Sequence, residues 1–339
     1  MINLLEPWVL LVMVAAMMSA FLFARAAWTS LRVVRRFEIS RATEGQLALE
    51  RRFELASVYV RVAAAAQFAT LLLTVIAADR LSKSVRGAMC AYGVFQSEPG
   101  GFRALAMSFA VAIAAGVLSE LYALNGRVRG MELVRPLAIL TVLILPLTIV
   151  DFAMTSAFLG RLDLGVVASC CSAQFDSAAA SYSFVAGPRV LAVRGALIAI
   201  GACLVVAALA RRSPRGQLIV AAGACSLVAL PLALASAVLE VAPHAFELPQ
   251  HVCPFCLLRS DVFYLGYPLF VAILLAVIWS VGAAAGALIS RGAESRAALA
   301  PFARQRLSRA AVAWIVAVAV GAAPVLRYAI VSGGAPLFQ

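Results

Sequence analysis

The sequence is poor in charge. Only 13% of its 339 residues are Asp, Glu, Lys or Arg, whereas soluble globular domains carry about 25%. Hydrophobic residues make up 64% of the chain, and the mean hydropathy is +0.98. Seven cysteines in 339 residues are far below the cysteine density of a disulfide-stapled small protein. The low charge excludes a disordered chain. The composition indicates an integral membrane protein.

Common nucleotide and cofactor motifs are also missing. The chain has no Walker loop, no G-x-G-x-x-G after a strand, no H-E-x-x-H and no C-x-x-C-H haem attachment sequence. Its two histidines, His244 and His251, both fall outside the apolar runs. These absences argue against nucleotide hydrolysis and against a membrane haem held by two histidines.

Apolar runs of roughly 20 residues, the length that crosses the hydrocarbon core of a bilayer, recur eight times. They cover about 7–24, 55–78, 104–124, 136–158, 190–210, 217–240, 264–290 and 310–331. These runs are continuous and do not alternate, which argues against a β-barrel. The predicted fold class is an all-α polytopic membrane protein with about eight transmembrane helices, forming a single transmembrane helical-bundle domain over 1–339.

The basic residues predict the orientation of these helices. The formal charge is +12, which in a soluble domain would suggest nucleic acid, but here the arginines lie between apolar runs. Eighteen of the 28 basic residues fall in 25–54, 125–135, 211–215 and 291–309, and seven fall in 79–103, 159–189 and 241–263. The positive-inside rule places the first set in the cytoplasm and both termini on the outer side. The expected partner is the lipid bilayer, with no nucleic acid.

The strong preference for Arg over Lys suggests the membrane in which the protein lies. Lys83 is the single lysine among 28 basic residues, and with the Ala and Val bias this suggests a GC-rich bacterial genome. We therefore expect a multi-pass protein of the bacterial inner (cytoplasmic) membrane, whose outer side is an oxidising space. The first span is expected to stay as an anchor, because MINLLEP lacks the basic residues of a signal peptide.

Cysteines gather on the predicted outer side. Five of the seven fall in outer loops: Cys90, Cys170, Cys171, Cys253 and Cys256. The other two, Cys203 and Cys225, lie within the fifth and sixth spans, where a thiol behaves as a small apolar group. Five is an odd number, so pairing these cysteines with one another as disulfides leaves one over, which fits a redox relay or a metal cluster better than inert stapling.

The segment HVCPFCLLRSD, from His251 to Asp261, contains a C-x-x-C motif. Pro254 is typical of a first helical position, which predicts Cys253 as the N-cap of a helix continuing toward the seventh span. The helix dipole and Arg259 should then lower the pKa of Cys253 and make it the nucleophile. Cys256, one turn further, would resolve a mixed disulfide. Cys90 with Cys170 or Cys171 is the predicted relay pair.

The tetrapeptide Cys253-Pro254-Phe255-Cys256 resembles the active site of glutaredoxin-like proteins. Its position at the outer end of a membrane helix resembles the quinone-linked disulfide-generating membrane enzymes of the DsbB and vitamin K epoxide reductase type. The resemblance covers the tetrapeptide and its placement. It implies that Cys253 or Cys256 exchanges electrons with a quinone and that another loop cysteine passes disulfides to a periplasmic thiol protein.

The vicinal pair Cys170-Cys171 offers a different chemistry. Adjacent cysteines rarely bridge each other, so each pairs elsewhere, for example with Cys90, or both bind one soft metal ion. The pair resembles the metal-capturing cysteines of bacterial mercury transporters. With Cys253, Cys256 and His251 it would supply a tetrahedral metal site. For His251 a role as hydrogen-bond partner of Cys253 and one as an ordinary loop residue also remain open.

Three functions are therefore compatible with the sequence. The first is a membrane thiol–disulfide oxidoreductase, with a quinone as the expected cofactor. The second is a protein that binds or transports a soft metal such as Cu, Zn or Hg. The third is a non-catalytic, disulfide-stapled subunit that works with other membrane subunits.

Charged residues within the spans require a structural or functional explanation, because inserting a charged side chain at the centre of the bilayer costs about 2.5–3.5 kcal/mol. Asp151, Arg194, Glu240 and Arg327 are of this kind. The sequence suggests Asp151–Arg194 and Glu240–Arg327 ion pairs, or a proton or ligand pathway.

Overall fold

The computed structural model describes residues 6–36, 44–128, 130–163 and 178–338. Every regular element in these ranges is helical. Contacts within the chain define two compact units: the first comprises Met1–Arg86, Val94–Val166 and Ala285–Phe302, and the second Gly87–Gly93, Val167–Ala284 and Ala303–Gln339. The single domain expected over 1–339 stays a prediction.

Eight of the helices in the described ranges are long and apolar enough to cross a membrane. They are α1 (Pro7–Arg36), α2 (Glu44–Leu81), α4 (Gly101–Asn125), α5 (Val134–Arg161), α6 (Ala178–Arg212), α7 (Gly216–Ser236), α9 (Gly266–Ile289) and α10 (Ala293–Val331). Two shorter helices are α3 (Ala91–Ser97) and α8 (Ala242–Phe246), and a π-helical turn at Ala237–Val241 joins α7 to α8 in one apolar helix. The eight helices predicted from apolar runs are confirmed.

The first unit is built around α1, α2, α4 and α5. Helix α1 packs against α2 and α5, and α4 packs against the same two helices. The four helices therefore form a closed ring around a common interior. Large side chains that are fully buried in this unit are Phe23, Phe95, Leu121, Tyr122, Leu124, Leu133, Leu137, Phe158, Leu159 and Phe302.

In the second unit α6 packs against α7 and against the π-helical turn that follows it. A buried polar contact fastens α10 to α7, because Trp314 donates its indole N–H to Ser226 Oγ over 3.2 Å. Satisfying the indole in this way lets so large a side chain be buried without losing a hydrogen bond.

Many large apolar side chains point away from both cores. Leu191 and Ile198 on α6 are each 72% exposed, and Ile330 on α10 is 80% exposed. Such surfaces are costly in water but match hydrocarbon. Together with the eight long apolar helices, they indicate a multi-pass membrane protein. The side of the membrane on which the termini lie stays a prediction.

The ion pairs differ from those suggested by the sequence. Glu240 binds Arg189 at 2.6 Å, and Arg327 binds Glu247 at 3.3 Å, so the suggested Glu240–Arg327 pair is wrong. Arg189 reaches Glu240 from α6, which packs against the π-helical turn that carries this glutamate. Asp151, for which Arg194 was the suggested partner, accepts hydrogen bonds from Ser108 and Gln67.

Candidate metal centre

Two connections between membrane-length helices bring three cysteines together in the second unit. Cys90 follows α2 and directly precedes α3, while Cys253 and Cys256 lie between α8 and α9. One ligand atom from each lies within 4.8 Å of the others. We call these three residues the cysteine trio. Because all three are at most 6% exposed, their sulfurs meet inside the protein.

Local backbone geometry brings the two cysteines of the C-x-x-C motif close together. Residues Pro254–Leu258 form a 3-10 helix with Cys253 as its N-cap and Pro254 at the first position. In a 3-10 helix, residues three apart lie one above the other. Cys253 thus occupies the predicted N-cap position, although its side chain forms no capping hydrogen bond with this helix, and its sulfur lies within 4.8 Å of that of Cys256.

The helix itself is shorter than the sequence suggested. It spans five residues and ends at Arg259 in extended conformation, so it does not continue into the seventh span. Phe263 and Tyr264 then adopt left-handed backbone angles, both with φ of 55°, before α9 begins at Gly266. Because so short a helix aligns few peptide dipoles, it places less positive potential at Cys253 than the expected α-helix.

Packing holds the 3-10 helix against the start of α9. Leu257 and Leu258 are buried. A Cβ at Gly266 would lie 2.7 Å from Leu258 Cδ2 and 3.0 Å from the carbonyl carbon of Leu257. Only a residue without a side chain allows so close an approach. Gly266 thus fixes the position of the segment that carries Cys256.

Arg259 connects the two segments that carry the trio. Its Nη1 donates a hydrogen bond to the backbone carbonyl of Met89 over 2.9 Å, directly before Cys90 in the chain. Its Nη2 also lies 3.2 Å from Oδ2 of Asp261. The guanidinium therefore ties the loop of Cys90 to the loop of Cys253 and Cys256.

Aromatic side chains surround the sulfurs. Tyr92, Phe246 and Phe255 pack against the trio, and the rings of Tyr92 and Phe255 lie 6.3 Å apart between centroids. The ring of His251 stacks on Phe246 with centroids 4.1 Å apart. The trio thus lies in an apolar, aromatic setting, with His251 stacked on one of the rings that line it.

The sulfur separations fit a shared ion. Sγ of Cys90 lies 3.6 Å from Sγ of Cys253, whereas a disulfide joins sulfurs at about 2.05 Å. A metal ion with three bonds of about 2.3 Å to sulfur holds those sulfurs about 4 Å apart. The Cys90–Cys253 separation is slightly shorter than this value, and all three sulfurs lie within 4.8 Å of one another. This buried trio can hold a metal ion.

The other cysteines and His251 differ in their relation to the trio. Cys170 and Cys171 lie outside the described residues. His251 is not one of the three converging ligands. Cys203 is buried in α6 with its sulfur 3.6 Å from Ser226 Oγ, as expected of a small side chain within a span. The roles proposed for each cysteine remain predictions.

Sequence reasoning missed the aromatic lining and the Arg259–Met89 contact. A signal for the lining was present, because Tyr92 follows Cys90 by two residues and Phe255 lies inside the C-x-x-C motif. The contact of Arg259 with a backbone carbonyl left no signal, since any residue supplies that acceptor.

Comparison with protein-family models, with curated proteins and with solved structures finds no match for this chain. Over the residues that the structure describes, the fold and the site define an all-helical protein with eight membrane-length helices and a buried cysteine trio in the connections between them.

Proposed function

We propose that this protein binds a soft metal ion through the thiolates of Cys90, Cys253 and Cys256. The convergence of three buried sulfurs within 4.8 Å carries the proposal. Thiolate ligands select Cu(I), Zn(II) and similar ions over the hard cations Mg²⁺ and Ca²⁺. Among the functions compatible with the sequence, this one uses all three sulfurs at once.

Burial favours an ion as the reacting partner. Cys90 is 0% exposed, Cys253 6% and Cys256 3%. A protein disulfide must approach one sulfur directly in order to exchange with it. A metal ion needs only a path of atomic width, and the surrounding apolar side chains then keep competing water away.

Net charge and coordination number at the trio favour different ions. Three thiolates carry a charge of −3, which Cu(I) reduces to −2 and Zn(II) to −1. The Arg259 guanidinium, which is bonded to the carbonyl before Cys90, supplies positive charge nearby. Three sulfur ligands complete a trigonal Cu(I) site, whereas Zn(II) would need a fourth ligand such as water. Cu(I) therefore matches the coordination number and Zn(II) the charge.

Anaerobic titration of the reduced, lipid-reconstituted protein tests the proposal. Cu(I) and Zn(II) would be added separately under competition by a chelator, with bound metal quantified by mass spectrometry and the Cu(I)–thiolate transition followed by absorbance. We expect one equivalent bound by the wild type. C90S, C253S and C256S should each lower the affinity by more than about 100-fold, since even removal of an outer-shell partner costs 10–100-fold.

Cys225→Ser is the matched control, because Cys225 lies in α7 within a membrane-length helix and is not part of the trio. It should bind metal like the wild type. Equal affinity in all four variants, or binding of neither ion by the wild type, would contradict a metal centre at the trio.

Thiol–disulfide chemistry is the second candidate, favoured by the 3.6 Å contact between Cys90 and Cys253. In this reaction the two thiols form an S–S bond and give up two electrons and two protons. A quinone, the oxidant class suggested by the predicted position of the C-x-x-C motif at the outer end of a membrane helix, would accept them and become a quinol. Cys256 would then be the thiol that attacks the new bond.

Peptide mapping under non-reducing conditions distinguishes the two candidates. Incubation with a soluble quinone should produce a Cys90–Cys253 disulfide and an equal amount of quinol if the redox function is correct. If the metal function is correct, the metal-loaded protein should keep all three thiols.

A further inference from the structure

Asp151 is a buried carboxylate at the centre of the first unit, far in sequence from the cysteine trio. It lies on α5 and is 1% exposed. Ser108 on α4 donates a hydrogen bond to its Oδ1 over 2.6 Å, and Gln67 Nε2 on α2 donates to its Oδ2 over 2.5 Å. Ser19 on α1 donates to Gln67 Oε1 over 2.8 Å. All four helices of the ring contribute to one polar network.

Among the described residues, no cation pairs with this carboxylate. Its two hydrogen-bond donors are a neutral amide and a neutral hydroxyl. Asp151 is the single ionisable residue within the central stretches of the four helices, 7–24, 62–78, 104–119 and 136–160. The ionisable residues that bound these stretches are Glu6, Arg25, Arg61, Asp79, Arg103, Glu120, Arg135 and Arg161.

A fixed negative charge in this position would be costly. Removing one carboxylate from water costs several kcal/mol in a protein interior unless an opposite charge compensates for it. Neutral donors offset part of that cost and leave the charge itself uncompensated. A bound positive charge is the remaining way to neutralise the site.

We propose that Asp151 is a reversible proton-binding site inside the helix ring of the first unit. A proton added to Oδ1, the oxygen that faces the Ser108 hydroxyl, gives a neutral carboxylic acid, and its release restores the carboxylate. The Ser108 hydroxyl both donates and accepts, so it turns from donor to acceptor when Asp151 becomes protonated. The exchange therefore needs rotation of one hydroxyl and no movement of a helix.

A proton fits this site better than a metal cation. The Gln67 amide directs its N–H group at Oδ2, and Ser19 holds that orientation by donating to the opposite end of the same amide. A cation would meet this N–H group where it needs an oxygen ligand. Gln67 and Ser19 thus act as positioning residues, and Asp151 carries the proton.

Infrared titration of the lipid-reconstituted full chain tests the proposal. A protonated carboxyl group absorbs through its C=O stretch, separately from the carboxylate form. In the wild type we expect a band that disappears as pH rises over the range in which the protein stays folded. The isosteric variant D151N should lose this band, whereas D163N, at an exposed acid just past the end of α5, should keep it.

A second variant keeps the proposal testable if D151N does not fold. S108A removes one hydrogen bond to the carboxyl group and should shift the frequency of the same band. A buried-acid band that does not change with pH, that survives D151N, or that keeps its frequency in S108A would overturn the proposal.

Discussion

The sulfur atoms of Cys90 and Cys253 lie 3.6 Å apart, although 163 residues separate them in the chain. Neither of the two segments involved holds all three cysteines. The centre therefore exists only when both connections are folded, and binding at the trio must be coupled to their order.

Arg259 is expected to position the trio without touching a metal ion itself. R259A removes the hydrogen bond to the Met89 carbonyl and frees the loop that carries Cys90. Because the side chain is 39% exposed, the effect should be moderate, a loss of metal affinity of about 3–10-fold. R259K should restore part of the affinity through its remaining charge. Chelator competition measures both variants, and unchanged affinity in R259A would show that this contact does not position the loop.

Gly266 is expected to tolerate no side chain. G266A places a Cβ 2.7 Å from Leu258 Cδ2 and 3.0 Å from backbone, so it should destabilise the protein by about 1–3 kcal/mol. G201A is the matched control in α6, where a Cβ meets nothing within 4 Å. There the better helix propensity of alanine should leave stability unchanged or raise it by about 0.5–1 kcal/mol. Thermal unfolding in detergent compares the two, and equal effects would contradict the close packing.

The Arg189–Glu240 ion pair should contribute more to stability than the Arg327–Glu247 pair. Arg189 and Glu240 are 22% and 15% exposed, whereas Arg327 and Glu247 are 65% and 44% exposed. E240Q should therefore cost about 1–3 kcal/mol, less than the 3–5 kcal/mol of a fully buried pair. E247Q should cost less than about 1 kcal/mol, as exposed pairs do. Unfolding by denaturant provides the comparison, and the reverse order would refute it.

Metal is expected to stabilise the folded protein through the trio. An ion present at 100 times its dissociation constant adds about 2.7 kcal/mol to the free energy of unfolding, if it binds only the folded chain. The wild type should thus melt at a higher temperature with Cu(I) or Zn(II), and C253S should not respond. The decisive comparison is the shift caused by metal in each protein, not the melting temperatures themselves. A shift of equal size in C253S would assign the stabilisation to another site.

The eight helices could be predicted because each depends on local composition. A run such as LAILTVLILPLTIV satisfies the length and hydropathy of a span without knowledge of its neighbours. The N-cap position of Cys253 was likewise local, since Pro254 directs the start of a helix. The short length of that helix could not be predicted in the same way. It depends on the left-handed residues Phe263 and Tyr264, which separate the helix from α9.

The partners of individual side chains depended on tertiary structure. The sequence suggested Arg327 as the partner of Glu240, and no pattern in it identified Arg189. Asp151 accepts hydrogen bonds from Ser108 and Gln67. Both are common residue types, and no sequence pattern identifies them as its partners. The sequence predicted that Cys90 and the C-x-x-C motif lie on the same side of the membrane. It did not indicate that their sulfur atoms lie close together.

Differential alkylation of native membranes, read out by mass spectrometry with and without a soft-metal chelator, tests the metal centre most directly. We expect Cys90, Cys253 and Cys256 to become reactive together once the chelator removes the ion, while Cys203 and Cys225 do not respond to it. Reaction of the three trio thiols that is the same with and without chelator, or a fixed Cys90–Cys253 disulfide in the native membrane, would contradict it.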